Sequence, residues 1–316
     1  MDKQRTIAYL EALFAVVVWG ASFIATKVAL KDVSPVTIVW LRFAIGVVLL
    51  GMAVTLRRQF ALPVRQEWGY FALLGFLGIT FHQWLQSNGL ITAQASTTAW
   101  IVATTPVFMA LLGWLLLKER LGWLKIGGIA LAAFGVLLVV TKGNLVTILQ
   151  GKFGAVGDFL ILISAPNWAV FSVLSRRGLK THPATRMMFF VMSLGWLFTT
   201  VLFFAGPGFS EISRLSLNGW LAVLFLGLFC SGLAYIAWYD ALQALSAAQT
   251  GVFLYIEPLV AVLVAAIILS EAITWASLLG GAVILFGVWL VNRAPQKKVH
   301  HVATPLHSPG ERSADS

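Results

Sequence analysis

The sequence predicts an all-α polytopic membrane protein with ten transmembrane helices, arranged as two inverted five-helix repeats. Three observations lead to this fold class: an excess of apolar residues, ten long apolar runs, and an internal duplication. Of 316 residues, 59% are hydrophobic and only 11% are charged, and the mean hydropathy is +0.88. Soluble domains carry about 25% charged residues, so lipid must cover part of this apolar surface.

Ten apolar runs are long enough to cross a hydrocarbon core of about 30 Å, which requires roughly 20 helical residues. Charged or turn residues separate the runs, among them Ser87-Asn88, Asp240 and Ser270-Glu271. The runs cover residues 7–30, 35–56, 68–86, 89–117, 121–141, 154–175, 183–205, 216–238, 246–269 and 273–292.

The runs divide the chain into four parts. Residues 1–141 form the first repeat, residues 142–153 a periplasmic linker, and residues 154–293 the second repeat. Residues 294–316 are polar and contain proline, so we expect a disordered cytoplasmic tail.

The duplication becomes visible when the chain is shifted by 152 residues. The coinciding pairs include Pro106 with Pro258, Glu119 with Glu271, Trp123 with Trp275 and Gly128 with Gly280. Because five is an odd number, the two copies must be upside down relative to each other. Lys118 and Arg120 become Ser270 and Ala272 in the second copy, as expected for loops on opposite sides of the membrane. Inverted repeats with a central site are a recurrent transporter architecture.

The basic residues predict the orientation in the membrane. With the N-terminus inside, the inside segments hold 16 of the 22 Lys and Arg residues, the outside segments hold five, and Arg42 lies within a span. The positive-inside rule therefore favours two cytoplasmic termini and a multi-pass location in the cell inner membrane.

Several function classes are disfavoured. The net charge of +10 does not indicate nucleic-acid binding, because the basic residues form no sustained stripe. The single cysteine, Cys230, offers neither an internal disulfide nor a metal-ligand spacing. We find no ATP-binding motif and no nucleophile-base pair within the spans, so we expect no cofactor, no metal and no enzymatic activity.

Several motifs resemble one known family. They are Trp19-Gly20-Ala21-Ser22-Phe23, Pro35 followed by Arg42-Phe43, and the block Gly89-Leu90, Ala95-Ser96, Pro106 and Lys118-Glu119-Arg120-Leu121. The second copy repeats this block as Ala241-Leu242, Ser246-Ala247, Glu257-Pro258 and Ser270-Glu271. Residues 7–292 are thus similar to the EamA family of the drug/metabolite transporter superfamily, although Lys118 and Ser270 replace the usual glycine before glutamate. The resemblance implies ten helices, cytoplasmic termini and export of a metabolite or amino acid, without naming the substrate.

Glu257 is the candidate for coupling transport to a proton gradient. It lies near the middle of the ninth run, where its predicted helical face includes Phe253 and Thr250. An ionisable residue inside a membrane is a functional candidate by default, although a hydrogen-bonded structural glutamate is the alternative. Pro106 and Pro258 each remove a backbone hydrogen bond, which predicts either hinges or static kinks near the midplane.

Long polar and aromatic side chains form the candidate lining of a substrate cavity. The aromatic candidates in the eighth run can instead belong to an interfacial aromatic belt, and the threonines can bond across helices or to their own backbone. The candidates are Trp19, His82, Gln83, Gln86, Thr97, Trp100, Thr104, Asn167, Trp168, Tyr235, Trp238 and Tyr239.

Other polar and small residues suggest structural roles. Arg42 is expected to extend to the surface or pair with a carboxylate, and Glu119 and Glu271 to cap the helices that follow them. Glycines seven residues apart, Gly128/Gly135 and Gly280/Gly287, predict close helix packing, either within one chain or between two copies as a homodimer.

These features favour a secondary transporter that exports a small metabolite, such as an amino acid or an aromatic or amphipathic compound, by alternating access. The partners are then the small-molecule substrate and the lipid bilayer, with no nucleic acid. An antiporter of phosphate esters or nucleotide sugars is an alternative, but it needs several embedded cations, and Arg42 is the one deep candidate. An intramembrane enzyme is the least favoured reading.

The orientation leads to a testable prediction. A reporter fused after Asn144 should read as periplasmic, and reporters at both termini should read as cytoplasmic, because of the distribution of Lys and Arg. Paired alkaline phosphatase and fluorescent-protein fusions measure this. A cytoplasmic reading after Asn144 would contradict the inverted arrangement.

Overall fold

The computed structural model describes residues 3–117, 122–149, 154–245 and 247–293. These residues fold into ten long helical units and three short helices, at Val146–Leu149, Gly208–Glu211 and Ile212–Arg214, and contain no strand. The units are α1 (Lys3–Ala29), α2 (Pro35–Leu56), α3 (residues 68–92), α4a (Ala95–Val102) with α4b (Thr105–Leu117), α5 (Trp123–Val140), α6 (Val156–Leu179), α7 (Ala184–Ala205), α8 (Leu217–Ala244), α9a (Ala247–Phe253) with α9b (Glu257–Ile268), and α10 (Trp275–Arg293).

The ten units correspond to the ten predicted spans. Within the described ranges, nine are long and apolar enough to cross a membrane. The tenth, α3, has comparable length, but its second half, His82–Thr92, carries a histidine, two glutamines, a serine and an asparagine. The all-α prediction is therefore confirmed, with α3 as the most polar span. The predicted tail, residues 294–316, lies outside the described residues.

Two predicted helix boundaries are wrong. Ser87 and Asn88 lie inside α3, because Asn88 Nδ2 donates to the carbonyl of Trp84, 2.8 Å away, and so turns back onto its own helix. The chain leaves the helix only at Ala93 and Gln94, which have extended backbone angles. Asp240 likewise lies inside α8, where its carboxylate is paired with Arg57 at 2.6 Å.

The fourth and ninth spans are each broken into two helices. Pro106 and Pro258 occupy the second position of α4b and α9b, where a missing N–H leaves no partner unsatisfied. They therefore start new helices and do not kink continuous ones. The predicted face of Glu257 with Phe253 and Thr250 is wrong for the same reason, since residues 254–256 form a turn.

Corresponding helices of the two repeats make corresponding contacts across the boundary between the repeats. Helix α1 packs along α8 and α9b, and its counterpart α6 packs along α3 and α4b. Helices α2 and α7 pair with each other, as do α5 and α10. Each repeat therefore completes its core only with helices from the other.

Hydrogen bonds between loops and helices close both ends of the bundle. At the end that holds the start of α1, Arg57 binds Asp240 through both carboxylate oxygens, at 2.7 and 2.6 Å, and His182 Nε2 lies 3.0 Å from Glu67. At the opposite end, Glu211 accepts hydrogen bonds from the backbone and hydroxyl of Ser34 and from the hydroxyl of Thr37. Burial alone raises the pKa of Glu211, but these hydrogen bonds outweigh burial and hold the pKa below its usual value.

Glu271 caps a different helix from the one predicted. Its carboxylate accepts from the backbone N–H of Ala95 and Ser96, at 2.8 and 3.1 Å, and from the Ser96 hydroxyl at 2.7 Å. It thus satisfies the N-terminus of α4a, in the other repeat, and not that of α10. Its counterpart Glu119 lies outside the described residues.

The glycine stripe packs α5 against α10 within one chain. A Cβ on Gly128 would lie 2.6 Å from the carbonyl oxygen of Gly287, and a Cβ on Gly135 would lie 2.7 Å from that of Gly280. Such distances leave no room for a side chain, so the two backbones are in direct contact. Of the two arrangements that the sequence allowed for these glycines, the structure has the one within a single chain.

This contact predicts opposite effects for the same substitution at two glycines of α5. Gly135→Ala should lower the thermal unfolding midpoint of the detergent-solubilised protein, because overpacking against a backbone costs about 1–3 kcal/mol. The matched control is Gly127→Ala, since a Cβ there meets no atom within 4 Å and alanine favours the helix by up to about 1 kcal/mol. Equal midpoints for the two variants would contradict the proposed contact.

Candidate functional site

Two π-helical segments lie at matching places in the repeats. One, Phe76–Phe81, interrupts α3, and the other, Phe225–Leu233, interrupts α8. In each case the π segment follows an eight-residue α-helical stretch. A π segment shifts the backbone hydrogen bonds from i→i+4 to i→i+5 and is frequent at functional sites. Six buried polar residues lie in or just after these segments: Thr80, His82, Gln83, Gln86, Ser87 and Ser231.

Side chains from the opposite repeat bind carbonyls of both π segments. Asn167 Nδ2, on α6, donates to the Leu77 carbonyl at 2.8 Å. Trp19 Nε1, on α1, donates to the Cys230 carbonyl at 3.1 Å. Because a bilayer offers no water to unpaired carbonyls, these two bonds give Asn167 and Trp19 a clear structural role at the edge of the site.

A cluster of three polar side chains joins the repeats and includes a residue of one π segment and a residue just after the other. We call it the central cluster: Arg42 on α2, Gln83 on α3 and Ser231 on α8. Arg42 Nε donates to Ser231 Oγ at 2.9 Å, and Arg42 Nη1 donates to Gln83 Oε1 at 3.2 Å. Arg42 is only 5% exposed and Ser231 is fully enclosed. The cluster therefore places a positive charge within the protein interior.

Arg42 does not behave as predicted. It does not reach the surface, and among the described residues it has no carboxylate within ion-pair distance. One turn further along α2, Gly46 makes this burial possible, since a Cβ there would lie 2.8 Å from the Ser231 side chain. The sequence signal was present, because Arg42 is the one basic residue placed deep inside a predicted span, whereas nothing in the sequence singled out Ser231.

Aromatic rings of both repeats surround the central cluster in one hydrophobic core. The Trp19 ring lies 5.7 Å from Tyr235 and 5.3 Å from Trp238, measured between centroids, and Tyr235 lies 6.3 Å from Tyr239. On the other side, the His82 ring lies 4.7 Å from Trp168. The structure thus brings together most of the predicted lining on α1, α3, α6 and α8.

Two predicted lining residues on α3, His82 and Gln86, are buried. His82 is 5% exposed, and its Nδ1 is enclosed with no hydrogen-bond partner among the described residues. Gln86 is 9% exposed and follows Gln83 by about one helical turn. Buried polar atoms are usually paired, so the His82 ring nitrogen beside Trp168 is an exception within the described part of the chain.

Two of the three residues predicted on the fourth span, Trp100 and Thr104, bond elsewhere. Trp100 donates to Ser277 Oγ at 3.1 Å and packs on Gly281, which holds it between α4a and α10. The Thr104 hydroxyl donates to the carbonyl of Ile101 in its own chain segment. Thr97 is buried on α4a. Trp100 and Thr104 therefore act as packing and turn residues.

Glu257 lies at the break in the ninth span, as the first residue of α9b. Its backbone carbonyl faces α1, where a Cβ on Gly20 would approach it to 2.7 Å. Gly20 directly follows Trp19, so the break packs against the same helix that carries one aromatic ring of the site. The Glu257 side chain is half-buried and has no hydrogen bond or ion pair within the described part of the chain.

Comparison with known proteins adds to this geometry. The EamA-like transporter family matches residues 6–141 and 155–293, one match for each repeat. An uncharacterized transporter of Archaeoglobus fulgidus is 29% identical over 90% of this chain and 96% of its own length. A probable terminal-alkyne amino-acid exporter of Streptantibioticus cattleyicolor is 27% identical over 93% of this chain and 96% of its own.

A solved structure supports the fold. A crystal structure covers 90% of this chain and 95% of its own, with a TM-score of 0.62 and 21% sequence identity. The relatives are named as transporters, which agrees with the prediction that the chain is not an enzyme. The two family matches span almost all of the helical part of the chain, and the chain belongs to the EamA-like transporter family.

Proposed function

We propose that the protein is a secondary transporter that exports a small metabolite, an amino acid or a related compound, across the cell inner membrane. Substrate binds at the central cluster and its aromatic surroundings. The two repeats rock around this site in alternating access, and both termini lie in the cytoplasm.

The central cluster is the observation that carries this proposal. Its three members come from α2, α3 and α8, and thus from both repeats. A site built from both halves changes its access when one half moves against the other. Polar groups at such depth are costly to keep in a membrane protein, and they typically mark a substrate pathway.

Two observations favour an amino acid over a phosphate ester. One relative is named a probable terminal-alkyne amino-acid exporter. The central cluster contains one cation, Arg42, whereas a phosphate ester carries up to two negative charges and is typically held by several Lys or Arg donors. The aromatic rings of Trp19, Trp168 and Tyr235 suit an apolar side chain on the substrate.

Glu257 is proposed as the residue that couples export to a proton gradient. It is an intramembrane carboxyl group at a helix break, without a described hydrogen-bond partner. Its proton can therefore be lost or gained when the break is exposed to one side of the membrane. The contact between its backbone and Gly20 connects this event to α1 and so to Trp19.

The proposal predicts the behaviour of a neutral variant. Cells that overproduce the protein should release one or more metabolites into the medium, compared with cells carrying an empty vector. Glu257→Gln should keep membrane abundance near normal but reduce that release at least about tenfold, because the amide preserves volume and cannot ionise.

Mass spectrometry of the medium at several external pH values measures this effect. The control is Glu67→Gln, which removes a carboxylate that binds His182 at one end of the bundle and should leave release intact. Full release by Glu257→Gln at every pH would assign Glu257 a structural role. No released metabolite with the unaltered protein would overturn export itself.

The proposed lining predicts which positions water can reach. In a Cys230→Ala background, single cysteines replacing Gln83, Gln86, Tyr235 and Trp238 should react with a small water-soluble thiol reagent. Exported metabolites should slow the reaction. Leu224 and Leu233, on the outer face of α8 with 40% and 43% exposure, are lipid-facing controls that should stay unlabelled. Absence of labelling at all four test positions would remove the proposed lining.

A further inference from the structure

The Arg42 guanidinium has unused hydrogen-bonding capacity. Of the five N–H donors of a guanidinium, those on Nε and Nη1 bond to Ser231 and Gln83, which are both neutral. The second terminal nitrogen, Nη2, makes no hydrogen bond with the described residues, and these residues do not fully enclose it. It therefore retains open surface inside an otherwise buried side chain.

The charge of Arg42 is also uncompensated. A buried cation normally has an anion beside it, because removing it from water is costly. The described ion pairs are Arg57 with Asp240 and His182 with Glu67, both at one end of the bundle. The positive charge at the centre thus has neutral hydrogen-bond acceptors but no negative partner in the described part of the chain.

We propose that Arg42 binds the carboxylate group of the exported molecule, and that Gln83 and Ser231 hold the guanidinium in the orientation that accepts it. The inference rests on the proposed export function. It specifies the substrate class as compounds with a single carboxylate, and a planar guanidinium suits that group because its N–H donors match the two oxygens.

The surroundings of the cluster agree with one carboxylate joined to an apolar body. A single guanidinium pairs with one carboxylate group, so a bound monocarboxylate compensates the charge of Arg42. His82, with its unpaired Nδ1, and the rings of Trp19, Trp168 and Tyr235 belong to the same part of the bundle. A purely cationic amine would meet a like charge at Arg42 and is disfavoured.

The experiment compares export by variants of the central cluster. Cells producing the unaltered protein, Arg42→Gln, Arg42→Lys or the control Arg186→Gln are analysed by mass spectrometry of the medium. Arg186 is a suitable control because its guanidinium binds the carbonyls of Ala61 and Leu62 at the end of the bundle, away from the cluster. Each variant is checked for membrane abundance and for a single peak in size-exclusion chromatography.

We expect the unaltered protein to export carboxylates, and Arg42→Gln to export them at least about tenfold more slowly, since a hydrogen-bonded charge is lost. Arg42→Lys should recover only part of the rate, because an ammonium cannot match both oxygens. The ratio of carboxylates to neutral compounds in the medium should fall in both variants and stay constant in Arg186→Gln. A purely structural role of Arg42 would lower all exported compounds equally.

Gln83→Leu and Ser231→Ala keep the experiment decisive if Arg42→Gln does not accumulate. Each variant removes one hydrogen-bond partner of the guanidinium and leaves its charge. Each should therefore reduce carboxylate export by a smaller factor than Arg42→Gln does, and the ratio of carboxylates to neutral compounds in the medium should fall as well. Export of compounds without a carboxylate, or an unchanged ratio in every cluster variant, would overturn the inference while leaving export intact. No export by the unaltered protein would overturn the proposed function and the inference with it.

Discussion

The interior of this protein depends on satisfying backbone groups that its own helices leave unpaired. Two π segments interrupt α3 and α8, and a bilayer supplies no water to the carbonyls that they expose. Asn167 binds the Leu77 carbonyl and Trp19 binds the Cys230 carbonyl, in each case from the first helix of the other repeat. The same constraint applies at the start of α4a, where the donors come from the backbone and Glu271 supplies the acceptor. The two repeats are therefore joined by hydrogen bonds that neither can make alone. The central cluster belongs to the same region, because Ser231 lies in one π segment and Gln83 follows the other.

The backbone is duplicated more faithfully than the chemistry of its side chains. The helix breaks before Pro106 and Pro258 match, as do the π segments and the pairing of α1 and α6 with their partners. The polar residues do not match: at the shift of 152 residues, Gln83 and Gln86 face Tyr235 and Trp238. Arg42 extends from α2 across the boundary to Ser231. A symmetric scaffold thus encloses an asymmetric interior, with amides on one side and aromatic rings on the other. An asymmetric molecule can bind there in one preferred direction.

Features that depend on regular periodicity could be predicted from the sequence. Helix ends and side-chain partners that depend on tertiary contacts could not. Apolar runs and the duplication were enough for the all-α, two-repeat fold, and spacing alone was enough to identify the glycines of α5 and α10. The sequence pattern predicts helix ends at Asn88 and Asp240, because polar residues usually mark loops. One bonds back to its own helix and the other pairs with Arg57, which only the folded chain reveals. The cluster partner Ser231 was missed because an isolated serine has no pattern, and the π segments were missed because their apolar sequences match those of α-helices. The helical face of Trp100 predicts a place in the cavity lining, but its ring packs on Gly281 of α10.

The direct contact of α5 with α10 has a consequence for synthesis of the chain. The close approach of Gly135 to Gly280 joins two helices that leave the ribosome far apart in time. At about 5–20 residues per second, roughly 7 to 30 seconds separate the two glycines. During that interval α5 is in the membrane with its narrow glycine face turned to lipid or to other chains. Helix α10 is made later and covers this face, so truncation before α10 leaves the glycine face of α5 open and removes that step of assembly.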